Sequence, residues 1–80
     1  MSFMFEVLYR SPTDARREAA ISESVSRLGG NLTCREEPDA GGAGPVCLTY
    51  EFDDRNVADH AATCLRSLGE HVEGPVEYGD

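Results

Sequence analysis

Val46-Cys47-Leu48-Thr49-Tyr50-Glu51-Phe52 alternates apolar and polar side chains along its whole length. Val46, Leu48, Tyr50 and Phe52 fall on one side, with Cys47, Thr49 and Glu51 on the other, a period of two that only a strand lays out as two faces. Pro45 opens the stretch, and Asp53-Asp54 closes it just before a helical pattern. A strand with one apolar face needs neighbours in a sheet and a layer over that face. The remaining residues must supply both.

Upstream, Phe3 to Arg10 repeats the alternation: Phe3, Phe5, Val7 and Tyr9 make one face, and Met4, Glu6, Leu8 and Arg10 the other. Ser11-Pro12-Thr13-Asp14 reads as a helix start, with Ser11 as cap, Pro12 at the first helical position and Asp14 favouring the positive end of the helix dipole. The helix runs to about Leu28 on a stripe of Ile21, Val25 and Leu28, with Glu23 and Arg27 paired on the wet side. Gly29-Gly30 stops it. Asn31 to Glu37 reads as a second strand with Leu32 and Cys34 facing the core.

Pro38 to Pro45 is a Gly-rich loop between this strand and the next. A phosphate-cradling loop would need a lysine and a following helix, and this stretch has neither, so a hairpin connection is expected. Beyond the Val46–Phe52 strand, Asp53 or Asp54 caps a second helix from about Arg55 to Leu68. Its stripe is Val57, Ala61, Cys64, Leu65 and Leu68, and Gly69 ends it. His71 to Tyr78 is the last strand, with Val72, Val76 and Tyr78 inward and Gly74-Pro75 arguing for an edge position or a bulge.

The two halves mirror each other. Leu28-Gly29 and Leu68-Gly69 both end a helix, and Leu32 and Val72 both begin the strand that follows. Each half is strand–helix–strand, so the chain is α+β in the order βαββαβ. It resembles the ferredoxin-like sandwich, a four-stranded antiparallel sheet with two helices on one face. Right-handed crossovers place the first and third strands in the middle.

The 80 residues form one domain, residues 1–80, near the lower end of what folds unaided. Ordering the chain costs about 1.5 kcal/mol per residue, and a core this small only just offsets that, so a homodimer is expected. The net charge is −8, and all seven cations are arginines. An acidic surface disfavours nucleic acid and anionic membranes as partners. Met1-Ser2 leads directly into a strand pattern containing Glu6, so no secretory signal is expected, and no apolar run approaches the roughly 20 residues that span a bilayer. Cys34, Cys47 and Cys64 lack CxxC spacing, which indicates neither a disulfide framework nor a zinc site. A cytoplasmic protein with reduced thiols is expected.

With the helices on the apolar face, the open face of the sheet should carry Met4, Glu6, Leu8, Arg10, Thr33, Arg35, Cys47, Thr49, Glu51, His71, Glu73 and Glu77. RNA-recognition domains of this fold put aromatics on the open face of their central strands, whereas the aromatics here belong to the core-facing set. His71, Glu73 and Glu77, with Glu6 or Glu51, have the chemistry of an oxygen-rich metal site, but a solvated acidic face accounts for them and no metal is expected. Cys34 and Cys64 should point to the core and Cys47 away from it, so Cys34 and Cys47 should not bridge. Inert thiols are expected, with a reactive Cys47 as the alternative, and His60 is expected to be a surface histidine. Ser11 and Thr13 lack a base partner in any recognisable motif, so a non-enzymatic protein without a cofactor is expected.

Leu28-Gly29-Gly30-Asn31-Leu32 resembles the stretch of ACT domains in which the first helix ends in a small residue and the second strand begins with Asn and an aliphatic. These regulatory modules have the same element order and length. The resemblance implies a small, amino-acid-like ligand at a dimer interface, near Ser11, Thr13 and Asp14 of the first loop and Asn31 and Leu32 of the second strand. Where that family carries Asp-x-x-Gly in the first loop, this chain has Ser-Pro-Thr-Asp. The function expected on this ground is ligand sensing or regulation. The alternative is a protein-interaction module that offers its acidic open face or a sheet edge to a basic partner.

Overall fold

The computed structural model describes residues 1–38 and 44–79. The elements follow in the order β1 (Ser2–Arg10), α1 (Ala15–Arg27), β2 (Asn31–Glu36), β3 (Pro45–Phe52), α2 (Arg55–Ser67) and β4 (His71–Tyr78). The strands form one antiparallel sheet in the order β2-β3-β1-β4. This is the ferredoxin-like arrangement, with β1 and β3 central. The Gly-rich connection between β2 and β3 falls largely on residues 39–43, outside the described residues.

The β1–β3 ladder runs without a slip from Phe3 opposite Phe52 to Arg10 opposite Pro45. Both strands therefore turn their large apolar residues to the same side. Phe5, Val7, Val46, Leu48, Tyr50 and Phe52 are buried there beneath Ile21 and Val25 of α1 and Ala58, Ala61, Ala62 and Leu65 of α2. The alanines of α2 let its backbone approach the sheet, leaving room for three neighbouring aromatic rings, with Phe5 5.9 Å from Tyr50 and 5.3 Å from Phe52 between centroids. The Tyr50 hydroxyl meets the Ser22 hydroxyl at 2.8 Å, which satisfies a polar group that burial would otherwise penalise.

Both helices end in the same way. Gly30 N–H donates to the Val25 carbonyl and Gly29 N–H to that of Ser26; Glu70 and Gly69 do the same to Leu65 and Arg66. These paired bonds form a Schellman motif, with Gly29 and Gly69 at φ of +89° and +91°. Gly30 is required for a different reason: a Cβ there would lie 2.5 Å from carbons of Phe52 and Val25.

The start of α1 differs from the sequence reading. Asp14, not Ser11, is the cap, accepting from the Arg17 N–H at 3.0 Å. Asp14 is held there because its own N–H donates to the Tyr9 hydroxyl at 2.9 Å, while Ser11 is drawn off to donate to the Gly44 carbonyl at 2.9 Å. In α2 the cap is Asp54, which accepts from Asn56 and Val57.

Two bulges change which residues face which way. In β2 the register slips between Leu32, opposite Tyr50, and Cys34, opposite Thr49. Cys34 is thereby turned to the open face and Arg35, opposite Leu48, to the helix side, the reverse of the expectation. Leu32 is on the helix side but 46 % exposed, at the outer edge of the sheet. In β4 the slip lies between the partners of Met4 and Glu6. Val72 stays inward opposite Val7, but Val76 opposite Met4 and Tyr78 opposite Ser2 turn to the open face, and Glu77 opposite Phe3 turns to the helix side. The free edge of β4 is blunted: Pro75 has no N–H, and Arg66 donates to the carbonyls of Val72 and Gly74 at 2.9 Å each.

Candidate functional site

The residues expected to hold a ligand lie at opposite ends of the sheet. Arg10, which leads into Ser11, pairs with Pro45, whereas Asn31 pairs with Glu51. Six residues of β3 separate those levels, roughly 20 Å. Ser11, Thr13 and Asp14 therefore cannot share a small ligand with Asn31 and Leu32 of the same chain. Only a second copy can bring the two groups together. The first loop is also tied up by its own bonds, Ser11 to Gly44 and Asp14 to Tyr9 and Arg17.

Near that loop sits the most organised polar cluster among the described residues. The Tyr9 hydroxyl donates to Glu18 while accepting from Asp14 N–H. Arg35 grips Glu18 with two N–H···O bonds of 2.6 and 2.9 Å and also reaches Glu37 at 2.9 Å. The Arg35 hydrogen bonds, and then that from Tyr9, hold the Glu18 carboxyl below the usual glutamate range despite its burial. Burial and the bond to Glu18 push the Tyr9 phenol up. Arg17 stacks over the Tyr9 ring at 5.0 Å and forks onto Glu70. Each charge has a partner, so the cluster locks α1 to β2 and to the α2–β4 connection. Sequence reasoning missed it because its members are far apart in the chain and each reads alone as a surface charge.

The open face carries two apolar residues beyond those expected, Val76 and Tyr78. Met4 on β1 lies opposite Val76 on β4, with Tyr78 one pair further along opposite Ser2, and Val76 and Tyr78 are 53 % and 50 % exposed; Leu8 lies apart, opposite His71 beyond the Glu6–Glu73 pair. Glu6, Glu51 and Glu73 border this apolar strip, and no helix covers it. The proposed His71–Glu73–Glu77 grouping is broken, since Glu77 is on the other face; His71 keeps only Glu73, at 3.6 Å. Among the described residues no group of three or more His, Cys, Asp or Glu side chains is placed to hold a metal ion.

All three cysteines are free. The β2 bulge puts Cys34 and Cys47 on one face, contrary to expectation, with Cys34 opposite Thr49 and Cys47 opposite Glu36. Cys34 is exposed rather than in the core, and Cys64 is half-buried. The Cys47 thiol donates to Glu6 Oε2 at 3.1 Å. Burial, with that bond second, pushes it up to about 11, which disfavours the nucleophilic thiolate at neutral pH.

A depression of about 120 Å³ opens where α1 ends, lined by Leu28, Gly29, Phe52, Asp53, Asp54 and Val57. None of the five sequence-predicted ligand residues lines it. No described helix is long and apolar enough to cross a membrane. No family model matches this chain, and no curated protein matches it either, so the fold class and the geometry above carry the functional argument.

Proposed function

We propose that this protein is a non-enzymatic interaction domain whose uncovered sheet face receives a basic, amphipathic segment of another protein. The observation that carries this reading is the apolar strip of Met4, Val76 and Tyr78 bordered by Glu6, Glu51 and Glu73. An apolar centre with a charged rim is how protein interfaces divide their work: the centre supplies affinity, and the rim supplies orientation and encounter rate. With a net charge of −8, the fitting rim on the partner is basic. A second copy docked face to face would set carboxylates against carboxylates, so the occupant is a different chain. A synthetic helical peptide with leucines on one face and lysines on the other tests it. Binding should weaken with added salt and be lost in Met4→Asp and Val76→Asp proteins that keep the native dichroism spectrum. Equal binding by those variants would refute it.

The ACT-like, ligand-sensing reading has one specific support, the shared element order with an Asn-Leu start to β2 after a helix ending in glycine. It requires a homodimer, since Ser11, Thr13 and Asp14 of one copy must meet Asn31 and Leu32 of the other. Sedimentation with and without a panel of amino acids tests it: a dimer stabilised by one of them supports it, and a monomer under all conditions removes it.

A further inference from the structure

His60 and Cys64 stand one turn apart on α2, where i and i+4 side chains share a face. Their Sγ and Nε2 atoms are 3.6 Å apart, with both side chains reachable from solvent. A tetrahedral zinc ion with Zn–S of about 2.3 Å and Zn–N of about 2.05 Å requires an S···N edge of about 3.6 Å. The pair therefore already spans one edge of a zinc coordination sphere, and no rearrangement of the helix is needed to close it. The chain's net charge of −8 attracts cations to its surface.

We propose that His60 and Cys64 form a two-ligand clamp for a thiophilic divalent metal ion of the zinc class. Thiolate and neutral imidazole together suit zinc better than the hard cations. On binding, the Cys64 thiol proton is released to solvent, the thiolate and the His60 Nε2 lone pair bond the metal, and two waters remain of its shell; no electron is transferred. With only two protein ligands the site is open and exchangeable, unlike a closed structural zinc centre.

Cobalt(II), a spectroscopic stand-in for zinc, tests this on the full chain with its thiols reduced. The expected result is a thiolate-to-cobalt charge-transfer band that saturates at one metal per chain and is displaced by zinc. Cys64→Ser should abolish the band. His60→Ala, at an exposed position that does not threaten the fold, should weaken binding by at least about tenfold. Cys34→Ser and Cys47→Ser should leave it unchanged. The proposal is overturned if no band forms at saturating metal, if the band survives in Cys64→Ser, or if His60→Ala binds as tightly as the parent.

Discussion

Arg17 and Glu70 are 53 residues apart in sequence, yet the Arg17 guanidinium forks onto the Glu70 carboxylate through Nε and Nη2, with the closest contact 2.8 Å. The Glu70 side chain is only 12 % exposed, so this pair fastens the start of α1 to the turn that launches β4. A double-mutant cycle of Arg17→Ala and Glu70→Ala in urea should give a coupling of about 1 kcal/mol, at the upper end for a pair open to solvent on one side. Additive effects would mean that the fork contributes no net stability.

Glu18 links stability to pH. Arg35 and Tyr9 hold its carboxyl below the ordinary glutamate value of about 4.5, so in the folded chain it stays charged to lower pH than in the unfolded one. Its contribution is fully present above that ordinary value and is lost as pH falls through the lowered one. The stability gap between the parent and Glu18→Gln should therefore be constant near neutrality and shrink on acidification. Thermal melts across that range check it; a gap that widens in acid would contradict the assignment.

Gly30 and Gly29 should respond to alanine for different reasons. At Gly30 the new methyl would meet Phe52 and Val25 at 2.5 Å, and overpacking of this kind costs about 1–3 kcal/mol. At Gly29 nothing lies within 4 Å, and the cost is the backbone strain of a left-handed alanine, about 1 kcal/mol. A Val25→Ala change removes the Val25 contact but not the two to the Phe52 ring, so it should relieve only part of the Gly30→Ala penalty and none of the Gly29→Ala penalty.

Thiol chemistry separates the three cysteines. Cys47, pushed up to about 11 by burial and by its bond to Glu6, should alkylate far more slowly at neutral pH than exposed Cys34. Mass spectrometry after timed iodoacetamide labelling reads this. Glu6→Gln, which removes the carboxylate, should speed Cys47 and leave Cys34 unchanged.

The fold was legible because its signals are local. The alternation of β1 and β3, the amphipathic stripe of α2 and the glycines after Leu28 and Leu68 each declare an element without reference to the others. What could not be read is parity across the bulges. Gly74-Pro75 announces a bulge in the last strand, yet extending the alternation through it puts Val76 and Tyr78 in the core; one extra residue reverses every side chain beyond it. That reversal gives the open face its apolar centre. In β2 the extra residue leaves no mark in Asn31-Leu32-Thr33-Cys34, and Arg35 is misplaced for the same reason. The Tyr9–Glu18–Arg35 and Arg17–Glu70 contacts join distant segments, which periodicity does not report.

The measurement that bears most directly on the proposed role is an amide NMR titration with the leucine–lysine peptide, run beside the amino-acid panel. The interaction reading predicts saturable, salt-sensitive shifts on Met4 to Glu6, Glu73 and Val76 to Tyr78, with the panel silent. Shifts from an amino acid at Ser11 to Asp14 and at Asn31 and Leu32, with the sheet face unperturbed by the peptide, would contradict it and establish a ligand-sensing dimer instead.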